Sequence, residues 1–127
     1  MANSTRNKEA VTRIENIAPI LNVKDLSVSI GFYVGKLGFI EADWGKGGQF
    51  TFISKDGSGI YLCQDGQGNP GTWLWIGLDG DIRALHDELR SKEVEIVEPP
   101  TNHAWALEMK VRDPDSHVLR FGTDPDE

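Results

Sequence analysis

The chain has a single cysteine, Cys63, among its 127 residues. One cysteine cannot form an internal disulfide and cannot by itself make a thiolate metal site, so a stapled secreted scaffold and a zinc-ribbon type of centre are both excluded. A small buried apolar side chain is the expected role for it. Basic residues are also scarce, with 13 Lys and Arg against 20 Asp and Glu and a formal net charge of −7. A phosphate backbone would be repelled by that field, so nucleic acid is not an expected partner. No apolar run approaches the length that crosses a bilayer, and the opening MANSTRNKEAVTR lacks an apolar core segment. Neither a membrane span nor a secretion signal is therefore expected, and a cytoplasmic location follows by default.

What remains is an ordinary globular composition, 39% apolar and 26% charged, with Gly and Pro scattered along the chain. Its length suits one domain. Residues 1–13 are polar and are expected to form a flexible arm, leaving residues 14–127 as the single domain.

Within that domain a pattern occurs twice. IAPILNV (17–23) alternates as a strand, Asp25 is placed to cap a helix over DLSVSIGFYVGKLG, and Gly38 ends it. FIEAD, QFTFIS and GIYLCQ are three further predicted strands, divided by the turn signals GKGG and KDGSG. After DGQGNPG the sequence begins again, with TWLWIGL as a strand, Asp79 or Asp81 as a cap for DIRALHDELRS, and strands in VEIVE, WALEMKV and HVLRFG. Val23 corresponds to Leu78 at an offset of 55 residues. The predicted fold class is α+β, two βαβββ modules at about 14–65 and 71–123 forming a curved mixed sheet around a cavity, with the helices outside.

Alternation separates two faces. Leu21, Val23, Ile60, Leu62, Leu74, Ile76, Leu78, Leu119 and Phe121 make an aliphatic set suited to packing beneath helices. Ala18, Ile20, Asn22, Tyr61, Cys63, Trp73, Trp75, Val118 and Arg120 make the opposite, mixed set that a ligand cavity needs. The same reading sends Phe50 and Phe52 to the core and turns Gln49 and Thr51 inward. Trp73 and Trp75 share a strand face on which flat ligands can stack, with cavity filling or a dimer contact as the plainer alternative. Trp105, after the Pro-rich PPTNHAW, is placed to close over the cup, and His103 to line its mouth. Arg120 pairs with Glu108 or anchors ligand directly. No serine lies in a nucleophile elbow, the cysteine has no recognisable histidine partner, and no Gly-rich stretch has phosphate-loop form.

VKDLSVSIGFYVGKLGF and VRDPDSHVLRF resemble the opening and closing signatures of the vicinal oxygen chelate superfamily, which holds glyoxalases, bleomycin resistance proteins and dioxygenases. The closing signature carries Ser116 where the family usually has Gly. The resemblance places Ala18, Tyr61, Trp73 and Arg120 at the positions that hold metal ligands in metal-dependent members. None but a rare tyrosine phenolate binds a divalent ion, so no metal and no cofactor are expected. The likeness is to the metal-free, bleomycin resistance-like branch, which implies a homodimer that sequesters a cationic or aromatic compound without chemistry. Its ligand-binding residues would be Tyr61, Trp73, Trp75, His103, Trp105 and Arg120. The alternative is a metal-dependent lyase or dioxygenase of the glyoxalase I type, with ligands drawn from His103, Glu108 or His117.

Overall fold

The computed structural model describes residues 11–45, 48–64 and 66–127. Most of the expected arm at 1–13 lies outside them. The element order is β1 (Ile20–Asn22), α1 (Leu26–Ile30), β2 (Ile40–Glu41), β3 (Phe50–Lys55), β4 (Ser58–Cys63), β5 (Trp73–Gly77), α2 (Ile82–Ser91), β6 (Glu95–Asn102), β7 (Leu107–Arg112) and β8 (Val118–Thr123). These make two βαβββ modules, each with a four-stranded mixed sheet, in the orders β1-β4-β3-β2 and β5-β8-β7-β6. First and last strands of a module run parallel and the rest antiparallel.

The internal repeat is visible in the backbone. Val23 N donates to Cys63 O at 3.0 Å, and Leu78 N, 55 positions on, donates to Gly122 O at 2.7 Å. Asp25 caps α1 by accepting from the amides of Ser27 and Val28, and Asp81 caps α2 through Arg83 and Ala84. Both satisfy amide donors that a helix start leaves open. Beyond Ile30 the first helix widens into π turns over Gly31–Lys36. That shift in phase buries the neighbours Phe32 and Tyr33 together, where regular spacing selects Tyr33 alone. Gly38, at φ +82°, then turns the chain out of the helix in a conformation that favours glycine.

Leu21, Val23, Ile60, Leu62, Leu119 and Phe121 are buried in one core with residues of both helices, and Leu74, Ile76 and Leu78 pack against it. The expected register of β3 is corrected. Thr51 and Ile53 face the core, while the Phe50 and Phe52 rings lie on the Tyr61 ring on the other face. The cause is the two-residue turn Asp56-Gly57, with φ of 51° and 85°, which sets Lys55 opposite Ser58 and so Ile53 opposite Ile60. Cys63 and Val118, expected on the cavity face, are buried.

All strand pairs between described residues fall within a module. Side chains of the turn between β7 and β8 tie the halves together. Asp113 Oδ1 accepts from the amides of Asp115 at 2.8 Å and His117 at 2.9 Å, while its Oδ2 accepts from Tyr33 Oη at 2.6 Å. Asp115 reaches the first module too, accepting from Lys24 N at 2.8 Å and Ser29 Oγ at 3.0 Å. His117 is wholly buried and bridges Thr72 and β1. Because Thr72 N–H can only donate, Nδ1 accepts, and Nε2 carries the proton given to Asn22 O at 2.7 Å.

Ser116 in this turn has φ +64°, a left-handed conformation that costs a side chain but not glycine. Its amide bonds the Asp113 carbonyl, which fixes the turn around it. Ser116→Gly is therefore expected to raise stability by about 0.5–1 kcal/mol in urea unfolding. A loss of stability would show that the serine side chain contributes something its conformation does not reveal.

Candidate functional site

A cavity of about 710 Å³ opens on the second sheet, and Trp75, Leu78, Trp105, Glu108 and Arg120 are among its walls. At its centre is an ion pair. Arg120 Nε donates to Glu108 Oε1 at 3.0 Å and Nη2 to Oε2 at 2.9 Å, a two-bond fork between neighbouring strands. Trp105 Nε1 donates a third bond to Glu108 Oε2 at 2.8 Å. Glu108 is 1% exposed, so its charge is compensated by hydrogen bonds instead of water.

Arg120 also lies over the Trp75 ring, its guanidinium carbon 5.5 Å from the centroid. That contact adds cation–π attraction to the ion pair, whose two-bond fork fixes the plane of the guanidinium. Trp75 is held in turn by what is missing beside it. A Cβ at Gly122, in the interior of β8, would run into the Trp75 six-membered ring. Gly59 has the same relation to the Phe52 ring in the first module. An interior glycine in a strand marks close approach of this kind, and that signal in HVLRFG was available in the sequence.

Of the six residues expected at the site, the cavity brings together Trp75, Trp105 and Arg120. Trp73 projects from the first position of β5, is exposed and does not line it. Tyr61 belongs to the first sheet, where its ring stacks on Phe50 at 5.2 Å. His103 lies behind Trp105, its ring parallel to the indole at 4.6 Å, and its Nε2 is buried with no hydrogen-bond partner. Sequence reading missed Asp79, Gly122 and Asp124 as cavity residues.

The ion pair holds the Glu108 carboxyl below the ordinary value of 4.5, chiefly through the Arg120 hydrogen bonds, with Trp105 adding to them and burial opposing. A depressed value means stabilisation that is complete above pH 4.5 and is lost as pH falls through the lowered value. An NMR titration of the Glu108 carboxyl carbon is accordingly expected to give a midpoint below 4.5. A midpoint at or above it would mean that the Arg120 fork is absent in solution.

The same geometry is a poor metal centre. Arg120 stands at one position the resemblance assigns to a ligand and brings a positive charge, and both Glu108 oxygens are engaged. His117 is committed to the module seam. Among the described residues no group of three or more His, Cys, Asp or Glu side chains is placed to hold an ion. These residues do not fit the divalent metal of the metal-dependent relatives.

Two βαβββ modules with a cavity on the sheet face define the architecture of the vicinal oxygen chelate proteins. The chain belongs to the Glyoxalase/Bleomycin resistance protein/Dioxygenase superfamily, whose family model matches residues 13–121. No protein of curated function matches the sequence. Similar solved structures include TnmS3, an antibiotic binding protein from Streptomyces sp. CB03234. It is 22% identical, the match covers 89% of this chain and 98% of that one, and the TM-score is 0.76. A virulence protein of Salmonella typhimurium is also 22% identical, over 89% and 99% of the two chains, with a TM-score of 0.73. A glyoxalase/bleomycin resistance protein/dioxygenase from Nocardioides is 18% identical, over 93% and 88%, with a TM-score of 0.72. At these identities the likeness shows a shared fold. No helix among the described residues is long and apolar enough to cross a membrane.

Proposed function

We propose that this protein is a cytoplasmic small-molecule binder that captures an aromatic compound without transforming it, in the manner of the bleomycin resistance-like branch. The observation that carries the proposal is the Trp75–Arg120–Glu108–Trp105 network, which lines the cavity with two indoles and puts a paired guanidinium at one position where the resemblance implies a metal ligand. Such a wall offers stacking surface and a few directed polar groups, the usual composition of a ligand site. The antibiotic binding described for TnmS3 is consistent with that role. The net charge of −7 favours approach of cationic compounds to the surface.

The working unit in this proposal is a homodimer. The described cavity lining comes from residues 75–124 alone, while Ile20, Trp44, Phe50 and Tyr61 leave an apolar face on the first sheet incompletely covered. A second copy related by twofold symmetry would lay that face across the cavity and bring Tyr61 toward the ligand. Sedimentation of the purified protein tests the assembly, and a monomer at tens of micromolar contradicts it. The function is tested by following tryptophan emission while screening aromatic compounds. Saturable quenching by at least one compound is expected, followed by recovery of that compound unchanged. Turnover of the bound compound would instead make the protein an enzyme.

A further inference from the structure

The chemistry of the ligand's polar end follows from the way Arg120 is held, and this inference rests on the reading of the cavity as a ligand site. A guanidinium has five N–H donors in a rigid planar fork. Glu108 takes the Nε hydrogen and one Nη2 hydrogen, which lie along one edge. One Nη1 hydrogen and the second Nη2 hydrogen form the other edge, and no described residue accepts from it. The Arg120 side chain is 37% exposed and lines the cavity, so this edge is open to a ligand.

A cation entering the cavity would meet the wrong partner. Glu108 is 1% exposed, and its oxygens already accept from Arg120 and Trp105. An ammonium group would find a guanidinium at the centre of the site and no uncommitted carboxylate beside it. The carboxylates that remain in the lining, Asp79 and Asp124, are exposed to water. A pair of oxygens meets the opposite situation. The free edge offers two parallel N–H bonds at the spacing of a carboxylate, and the two bonds to Glu108 already hold the guanidinium plane, with the Trp75 ring beside it. Little side-chain freedom is left to lose on binding.

We propose that the ligand is a flat aromatic compound bearing two coplanar oxygen acceptors, a carboxylate or an equivalent hydroxy-carbonyl pair, which the free edge of Arg120 receives while the ring system lies against Trp75. A basic group elsewhere on such a compound is accommodated by Asp79 and Asp124. The cationic or aromatic class expected from the sequence thereby narrows to aromatic acceptors, with positive charge permitted only away from the acceptor end.

Calorimetric titration with two probes of equal size, 2-naphthoate and 2-naphthylmethylammonium, tests this on the intact protein and on Arg120→Lys and Trp75→Ala. Naphthoate is expected to bind at least about 10-fold more tightly than the ammonium probe. Arg120→Lys keeps a positive charge near Glu108 but loses the fork, and it is expected to abolish most of that preference while a thermal melt shows it still folded. Equal or tighter binding of the ammonium probe, or an undiminished preference in folded Arg120→Lys, would overturn the proposal. If both probes bind alike and both weaken in Trp75→Ala, aromatic capture stands and the acceptor assignment fails. Binding of neither probe at millimolar concentration would contradict both.

Discussion

Asp113→Ala is expected to lower the unfolding free energy by about 3–5 kcal/mol, from unmet hydrogen bonds worth roughly 1–3 kcal/mol each. The carboxylate is 5% exposed and serves three donors, Tyr33 Oη, Asp115 N and His117 N. Its removal leaves the Tyr33 hydroxyl buried without an acceptor and frees the turn that positions His117. His117 holds Asn22 O and Thr72 N across the module boundary, so the damage spreads beyond the turn. For a domain with a stability of about 5–15 kcal/mol this is a large fraction of the whole. Tyr33→Phe removes one bond of the same network and is expected to cost about 1–2 kcal/mol. Urea unfolding measures both. If Asp113→Ala costs no more than Tyr33→Phe, the turn does not join the modules in the way described.

Trp75→Ala is expected to weaken capture of an aromatic ligand by about 30-fold or more, the effect of losing a central aromatic anchor. It should leave stability nearly unchanged, because the indole is 56% exposed and lies over a glycine instead of within the core. Its loss also removes the ring beneath the Arg120 guanidinium, so an acceptor group loses part of its preorganised partner. Trp73→Ala provides the contrast. That indole does not line the cavity, and its removal is expected to change affinity by less than about threefold, within what a surface substitution does. A larger loss from Trp73→Ala than from Trp75→Ala would move the binding surface to the other end of β5.

These expectations draw on features that were legible in the sequence to different degrees. The repeat was legible because each module uses the same local devices: an alternating first strand, an aspartate cap and an amphipathic helix before three further strands. Asp25 and Asp81 cap as their surroundings dictate, and the Val23–Leu78 correspondence is borne out by equivalent backbone bonds. The register of β3 is legible from its turn and not from alternation. The turn pair Asp56-Gly57 favours a two-residue hairpin, and counting outward from it puts Ile53 opposite Ile60. Alternation alone leaves the phase of β3 open, and the phase that sends Phe50 and Phe52 to the core is one residue out; their rings lie on Tyr61.

Other features had no local signal. Burial of Phe32 beside Tyr33 depends on π turns that the helical period does not encode. Asp113, Asp115 and His117 read as a turn, and their partners Tyr33, Ser29 and Asn22 lie in the other module, 80 or more positions away. Of the alternatives open for Arg120, pairing with Glu108 is present, and the same geometry leaves an edge for ligand. The indole bond from Trp105 to Glu108 joins residues three apart, but only the turn before β7 brings the ring back over the strand.

The most direct measurement is calorimetric titration of the untagged, chelator-treated protein with nickel, zinc, manganese and iron(II). Absence of one-to-one binding is expected, because Arg120 occupies the Glu108 carboxylate that an ion would need. Tight one-to-one binding that disappears in Glu108→Gln would contradict the central claim. It would mean that the guanidinium yields its place to a metal, and that the cavity belongs with the metal-dependent members of the superfamily.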